Sequence, residues 1–437
     1  MFLHYIDLSW RSLKRTPLVS ALMILAIAIG IGITMTSLSV YHMMSMDPIP
    51  HKSDQLFAVQ LNTTDDGNSW WTPDDVPYQL TYKDAMFLHN AETPVRKTAS
   101  IRTAFTVHMN NQDVKPSLSS ARAAGKDFFS MFDLEFIYGS SWTLAQEKAA
   151  ESVIVINEET NDKLFGGQNS VGKQMYLDDT IFTVVGVTKN WDIHIKYYDL
   201  NNGSFNAPEP LFIPITLWEP MQLVTRGNTN GWKHEGVTTF EGQLQSEMFW
   251  VQFWAELPTD KEVQKYHDFL FAYLTEQGTK GRYTREVPQF NLQDVNEWME
   301  YNNVVSEDNK ILVGLSFMFL AVCLANILGL LLGKFIRRAP EIGVRRALGA
   351  SKRQIFFQHL VEVSVLGLLG GLIGIGIAQF GLWGVRVTSQ QYAELAGMDL
   401  TMILTAPAIA IGACIIAGMY PAWLVCKTQP AIYLKTQ

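Results

Sequence analysis

Leu18 to Tyr41 reads LVSALMILAIAIGIGITMTSLSVY, a run without a single charged residue. As a helix rising 1.5 Å per residue it reaches about 36 Å, enough to cross a hydrocarbon layer of ~30 Å with some tilt. Three further runs share this character: Ile311–Gly333, Val361–Val385 with Glu362 at its start, and Met402–Val425. Core helices of soluble domains are rarely this long and this apolar. The first run exceeds the roughly 7–15-residue core of a signal peptide, and no Ala-x-Ala site follows it, so it reads as an uncleaved anchor. These four runs predict transmembrane helices at 18–41, 311–333, 361–385 and 402–425.

The rest of the chain is distributed around those spans in a telling way. Of 437 residues, 48% are hydrophobic and 17% charged, against about 25% charged in ordinary soluble domains. Residues 45–308 hold 20 Lys+Arg and 37 Asp+Glu, while the two flanks hold the remaining 14 and 5. A polar, acidic middle between apolar, basic ends excludes a plain cytosolic enzyme, a disordered chain and a nucleic-acid binder. Basic residues mark the cytoplasmic side. Arg11, Lys14 and Arg15 precede the first span. Lys334, Arg337, Arg338, Arg345, Arg346, Lys352 and Arg353 lie between the second and third, and Lys427 and Lys435 follow the fourth. The short segment 386–401 has only Arg386, beside Glu394 and Asp399. Both termini and the 334–360 loop are therefore expected in the cytoplasm, and 42–310 outside. Cys323, Cys414 and Cys426 all belong to the membrane part, so the outer domain is expected to fold without disulfides.

The outer segment mixes strand and helix signals. Gln55–Leu61, Ala99–Asn110, Ser152–Ile156, Ile181–Val187 and Glu247–Leu257 read as strands. Leu80–Asn90 reads as a helix with Thr81 as N-cap, Glu158–Phe165 as a helix ended by Gly166-Gly167, and Asp260–Gln277 as a third. Residues 190–245, rich in Asn, Gly and Pro, are expected to be loops. Residues 294–310 contain no Gly or Pro and are expected to extend the second span outward as a stalk. The fold class is thus membrane α-helical with four transmembrane helices, plus a large α+β extracytoplasmic domain of two subdomains inserted between helices 1 and 2.

Residues 1–17 place Leu3, Ile6, Trp10 and Leu13 at helical spacing beside Arg11, Lys14 and Arg15, the pattern of an interfacial amphipathic helix. In the third span Gly367/Gly371 and Gly370/Gly374 form small-xxx-small pairs that let helices approach closely, and Gly30 and Gly32 are expected to pack against a partner in the same manner. Apart from Glu362 at an edge, the spans lack the ionisable residues that mark ion pathways, which argues against a proton- or sodium-driven transporter. Nine of the twelve Trp lie in the outer domain, including Trp70-Trp71, Trp191, Trp218, Trp232, Trp250 and Trp254, and are expected mainly in its core. Asp192 and His194 lie near His234-Glu235 in sequence, but there is no HExxH, CxxC or Gly-x-Ser-x-Gly, so no metal or hydrolytic site is expected.

The stretch Lys334–Leu360, KFIRRAPEIGVRRALGASKRQIFFQHL, describes a short helix between two spans. Pro340 suits a first turn and Glu341 the positive helix end. Ile342, Arg345, Arg346 and Gly349 follow at helical spacing, with Gly349 fit to end the helix left-handed. Ser351 and Gln354 form a capping box that starts the next helix. Such a helix is placed to touch a cytoplasmic partner, or else to hold anionic lipid.

Glu341, Ile342, Gly343, Arg345, Ala347, Leu348, Gly349, Ala350 and Ser351, with Arg346 among them, closely resemble the signature of the MacB/FtsX-like permease family. Other segments agree with it: Leu13-Lys14-Arg15-Thr16-Pro17, Asn157-Glu158 through Gly166, Val171-Gly172-Lys173, Tyr420-Pro421-Ala422 and Gln429 through Leu434. The resemblance implies the membrane subunit of an ABC transporter working by mechanotransmission, with Glu341–Ser351 docking on a cytoplasmic ABC ATPase dimer. It also implies a second permease, the same or a related chain. The outer domain would comprise a porter-like part (45–118 with 247–305) and a Sabre-like part (119–246). The chain has no Gly-x-x-x-x-Gly-Lys-Ser/Thr, so no cofactor is expected on it. ATP and Mg would sit on a separate ATPase, and this subunit would be non-catalytic. Efflux of peptides, antibiotics or other amphiphiles, with a periplasmic adaptor and outer-membrane channel, ranks first. Lipoprotein extraction and mechanical control of a cell-wall hydrolase are the alternatives, and a membrane-anchored sensor without an ATPase is the distant one. Membrane lipid is an expected contact and nucleic acid is not.

Overall fold

The computed structural model describes residues 2–68, 75–109, 115–388, 397–398 and 400–427. Trp70-Trp71, Glu394, Asp399, Lys435 and the 429–434 motif lie outside the described residues, as do most of segment 386–401 and the tail beyond 427. The chain divides into two compact units, Met1–Met46 with Val305–Gln437, and Asp47–Val304.

The chain starts with α1 (Phe2–Arg15) and α2 (Pro17–Ser45). They part at Thr16, and Pro17 opens α2 in the turn where its missing N–H costs nothing. On α1, Leu13 is buried while Ile6 and Trp10 stay exposed, and the Lys14 ammonium lies 5.5 Å from the Trp10 ring centre.

The Asp47–Val304 unit runs β1 (Leu56–Leu61), α3 (Tyr82–Asn90), β2 (Arg96–His108), β3 (Ser117–Ala124), α4 (Phe128–Met131), β4 (Phe136–Gly139), α5 (Leu144–Lys148), β5 (Val153–Asn157), α6 (Glu158–Phe165), β6 (Gln174–Leu177), β7 (Thr180–Thr188), β8 (Leu211–Pro214), α7 (Phe240–Gln245), β9 (Gln252–Glu256), α8 (Asp260–Thr279), β10 (Phe290–Asp294) and α9 (Val295–Tyr301). The strands join in one sheet, ordered β10-β1-β9-β2-β3-β8-β5-β7-β4, with β6 bridging β2 and β7. The caps legible in sequence are present: the Thr81 hydroxyl accepts from the Asp84 N–H, and Gly166 closes α6 at φ +67°.

The family resemblance implies a division of this unit at 118/119 and 246/247, and the sheet runs across both boundaries. β1, β2, β9 and β10 take one end and β4, β5 and β7 the other. β3, which straddles the division, pairs antiparallel with β2 and parallel with β8. The two parts are therefore halves of one sheet, because β3 offers an edge to each.

Two expectations fail here. Segment 190–245 is not all loop: it carries β8 in the middle of the sheet, α7, and 3₁₀ turns at Tyr197–Asn202 and Ile215–Leu217. β8 is only Leu-Phe-Ile-Pro, preceded by Pro208 and Pro210, so its strand signal is masked, and pairing with β3 and β5 imposes it. Nor do residues 294–310 form a continuous stalk. α9 ends at Tyr301, Asn303 turns left-handed at φ +50°, and Ser306 caps a fresh helix by accepting from the Asn309 N–H. Asn and Ser offer the backbone local hydrogen bonds that compete with helix propagation, so no Gly or Pro is needed for the break.

The remaining helices are α10 (Glu307–Arg337), α11 (Ala339–Ala347), α12 (Lys352–Thr388) and α13 (Leu400–Lys427). α2, α10, α12 and α13 are the four transmembrane helices. α12 is clamped between α2 and α13 through its glycines. A methyl at Gly370 would lie 2.5 Å from the Ile27 side chain, and one at Gly374 2.9 Å from Ile31, both on α2. Methyls at Gly367 and Gly371 would lie 2.9 Å from Ala410 atoms of α13. Gly30 and Gly32 face α10 and α12 of the same chain, against Leu320 and Ile377, rather than a partner: the bundle uses their close approach internally. Thr34 completes the packing by donating to its own-turn Gly30 carbonyl (2.8 Å) and to the Ser316 carbonyl of α10 (3.1 Å).

Candidate functional site

The Lys334–Leu360 segment is far more helical than a loop. α10 runs on through Lys334 to Arg337, and α12 begins at Lys352. The capping box that starts α12 is formed: the Gln354 side-chain Oε1 accepts from the Ser351 N–H (2.9 Å) and the Ser351 hydroxyl from the Gln354 N–H (3.2 Å). Between them α11 holds Pro340 in its first turn and ends at Ala347, and Gly349 follows at φ +102°, a conformation that favours glycine.

The signature residues divide by direction. Ala339, Ile342 and Gly343 are buried and anchor α11 to the bundle. Glu341 is exposed and accepts from Arg345 (2.8 Å), with Arg15 of α1 3.8 Å away. Arg345 also donates to Gln358 of α12 (3.4 Å), and Arg346 to the Cys426 carbonyl of α13 (3.4 Å). Ala350 is half-buried, and Ala347, Gly349 and Ser351 are exposed. Val344 is 49% exposed and Leu348 83%. A short helix tied to α1, α12 and α13 thus presents an apolar tip of Val344, Ala347 and Leu348 away from the chain. Beyond α11, Gly367, Gly370, Gly371 and Gly374 lie inside the bundle, not at this tip.

Behind α11 is an ionic cluster not expected from the sequence. Glu362 lies inside α12, ten residues after the helix begins at Lys352. Its side chain and that of Lys334 on α10 are each 2% exposed and 2.7 Å apart. Ser12 of α1 donates to Glu362, Arg338 donates to Ser12, and His359 Nδ1 stands 3.5 Å from the same carboxylate. One carboxylate therefore ties together α1, α10 and α12. The sequence does carry a signal for it: Lys334/Arg338 at i,i+4 and His359/Glu362 at i,i+3 each share a helix face once the apolar runs are extended as helices.

The Asp47–Val304 unit has its own buried charges. Arg122 of β3 is fully buried. It donates through Nε and Nη2 to Glu209 at 3.0 Å each, through Nη2 to Asp199, and through Nη1 to Ser100 (3.1 Å). Lys196 and Tyr198 also donate to Glu209, and Gln252 of β9 to Asp199 (2.6 Å). Burial alone would raise the Glu209 carboxyl, but the charges of Arg122 and Lys196 outweigh it and hold it at about 2. The cluster fixes the 3₁₀ segment against β3 and β9. A cavity of about 570 Å3 opens beside it, walled by Arg102, Asn190, Trp191, Asn206 and Glu209, and Trp191 stacks on Tyr198 with ring centres 4.9 Å apart. The other described tryptophans of this unit except Trp232 are core residues: Trp142, Trp218, Trp250, Trp254 and Trp298 are all buried. Among the described residues no group of three or more His, Cys, Asp or Glu is placed to hold a metal ion.

A model of the MacB-like periplasmic core domain matches residues 20–253, and one of the FtsX-like permease C-terminal matches 313–430. The macrolide export ATP-binding/permease protein MacB of Haemophilus ducreyi is 23% identical over 380 residues, which are 86% of this chain and 48% of that protein. The uncharacterized ABC transporter permease YvrN of Bacillus subtilis is 23% identical over 310 residues, 71% of this chain and 68% of that one. The chain thus spans about half the length of the MacB relatives it matches. The crystallised periplasmic region of MacB from Actinobacillus actinomycetemcomitans covers 59% of this chain and 96% of its own, with a TM-score of 0.36 and 14% identity. With one family model spanning more than half of its residues and a second matching its last three spans, the chain belongs to the MacB/FtsX-like family of ABC transporter permeases.

Proposed function

We propose that this chain is a non-catalytic permease subunit that receives mechanical work from a separate nucleotide-binding chain at α11 and passes it through the helix bundle to the Asp47–Val304 unit. The observation that carries this reading is the apolar tip. Leu348 is 83% exposed on a helix whose opposite face is anchored by Ile342 and Gly343. An exposed apolar residue of that size on a braced helix, rimmed by Glu341, Arg345 and Arg346, has the composition of an interface centre with a polar rim. The basic residues at the α1, α10 and α12 ends support a cytoplasmic placement of α11 and both termini, and a periplasmic placement of 47–304 in a bacterial inner membrane. Two permeases would pair with two ATPase subunits, which carry the ATP and Mg. Efflux of peptides, antibiotics or other amphiphiles, with an adaptor and an outer-membrane channel, is supported by the macrolide export named for the MacB relatives.

The test is purification of the tagged chain from its native membranes in mild detergent, with bound proteins identified by mass spectrometry. The wild type is expected to bring down a chain with a phosphate-binding loop, and Leu348→Asp to lose it while still inserting in the membrane. Repeated recovery without any such ATPase overturns the coupling reading. A lipoprotein carrier or wall hydrolase in place of adaptor and channel overturns efflux alone.

A further inference from the structure

A second feature sits on the inner side of α11, away from the apolar tip. α1, α11 and α12 enclose a cavity of about 140 Å3, roughly ten times the ~10–15 Å3 that a single water needs on the same measure. Four guanidinium groups line it, from Arg11, Arg15, Arg338 and Arg345, and Glu341 is the one carboxylate among its lining residues. Counting the paired neighbours Asp7, Lys334 and Glu362 as well gives five cations (Arg11, Arg15, Lys334, Arg338, Arg345) against three carboxylates (Asp7, Glu341, Glu362), a formal excess of two positive charges. His359, with a side chain 4% exposed, and the buried Ser12 also reach the wall. We infer that this cavity is a binding site for the phosphate headgroup of an anionic phospholipid.

Three observations favour a lipid over a soluble anion. The wall is not wholly polar: Leu8, Ile342 and Ile355 contribute apolar surface suited to a glycerol and the first acyl carbons. The cavity lies at the charged ends of transmembrane helices, where Lys334 and Arg337 close α10, and so at headgroup depth. α1 itself turns Ile6 and Trp10 outward beside it, the arrangement of an amphipathic helix lying in the interface. A headgroup here would bind Arg15 and Arg338 from one side and Arg345 from the other, holding α1 to α11. The cavity shares Glu341 and Arg345 with the rim of the α11 tip, so its test rests on Arg15 and Arg338, which are not part of that rim.

The experiment places the full-length chain, stripped of bound lipid, in nanodiscs of phosphatidylcholine alone or mixed with phosphatidylglycerol. Lipid retained per chain on release is read by mass spectrometry. Phosphatidylglycerol is expected to be retained selectively, with affinity falling roughly five-fold for each of Arg15→Gln and Arg338→Gln. Arg353→Gln, outside the cavity, should change nothing. Inorganic phosphate at matched concentration should leave the retained lipid in place. Equal retention of the two lipids would overturn the proposal. So would displacement by inorganic phosphate, which would assign a soluble anion instead. Unaltered retention in the double variant, with its tryptophan fluorescence unchanged, would do the same. The wild-type lipid comparison needs no variant to fold.

Discussion

Glu362 shows how much a single residue can organise. It is a charge inside an apolar helix, matched by Lys334 at 2.7 Å and held by Ser12 from a third helix. A buried pair of this kind adds little net stability as a whole, whereas losing one member strands the other. Glu362→Gln alone should therefore destabilise the chain by about 3–5 kcal/mol, and adding Lys334→Met should recover most of that loss, both measured by denaturant unfolding in mixed micelles. Equal cost in single and double variants would show that the pairing is not what matters. Glu209 makes the matching case outside the membrane. Its carboxyl drops from 4.5 to about 2 on folding, so its stabilisation is full above pH 4.5 and disappears as the pH falls through about 2. Unfolding of the full chain followed by tryptophan fluorescence should weaken over that window in the wild type, and Glu209→Gln should start less stable and lack that limb. The role of Glu362 was only partly legible from sequence, through the i,i+3 and i,i+4 spacing of its partners, and that of Glu209 was not. Glu362 borders an apolar run and looks like its edge, and the partners of Glu209 are brought together only by the crossing of β3, β9 and the 3₁₀ segment.

Among the elements, the four long helices, α3, α6 and α8 were legible because each combines length or periodicity with a local start or stop signal: Thr81 opens α3 and Gly166 closes α6 as their residue types suggest. β3, β4, β6, β8 and β10 were not. They are short or mixed in composition, and neighbouring strands rather than their own residues set their extended form. The glycines of α12 were legible as packing residues, but not their division between α2 and α13, which depends on which helices flank that face. This division makes a paired prediction. Gly370→Ala forces a methyl to 2.5 Å from Ile27 and should cost about 1–3 kcal/mol. Gly376, with nothing within 4 Å of its added carbon, should tolerate alanine or gain up to about 1 kcal/mol from helix propensity. Thermal unfolding in detergent separates the two, and the same sign for both would contradict the packing described.

For the whole molecule, the central idea is that α11 is a braced contact point. Its inner face is fixed by Ile342 and Gly343, its arginines reach α12 and α13, and its Val344–Leu348 tip is left bare. The sequence marked this stretch through its spacing between two spans and its resemblance to one family. It did not distinguish anchoring residues from presenting ones, because that separation follows from how α11 lies on the bundle. The most direct measurement is photo-crosslinking in native membranes from a reactive residue placed at position 348, with position 380, the 70%-exposed Phe380 on α12, as control. The account predicts an adduct with a chain that carries a phosphate-binding loop from position 348 and none from position 380. Lipid adducts alone from position 348, in membranes where the chain is intact, would contradict it.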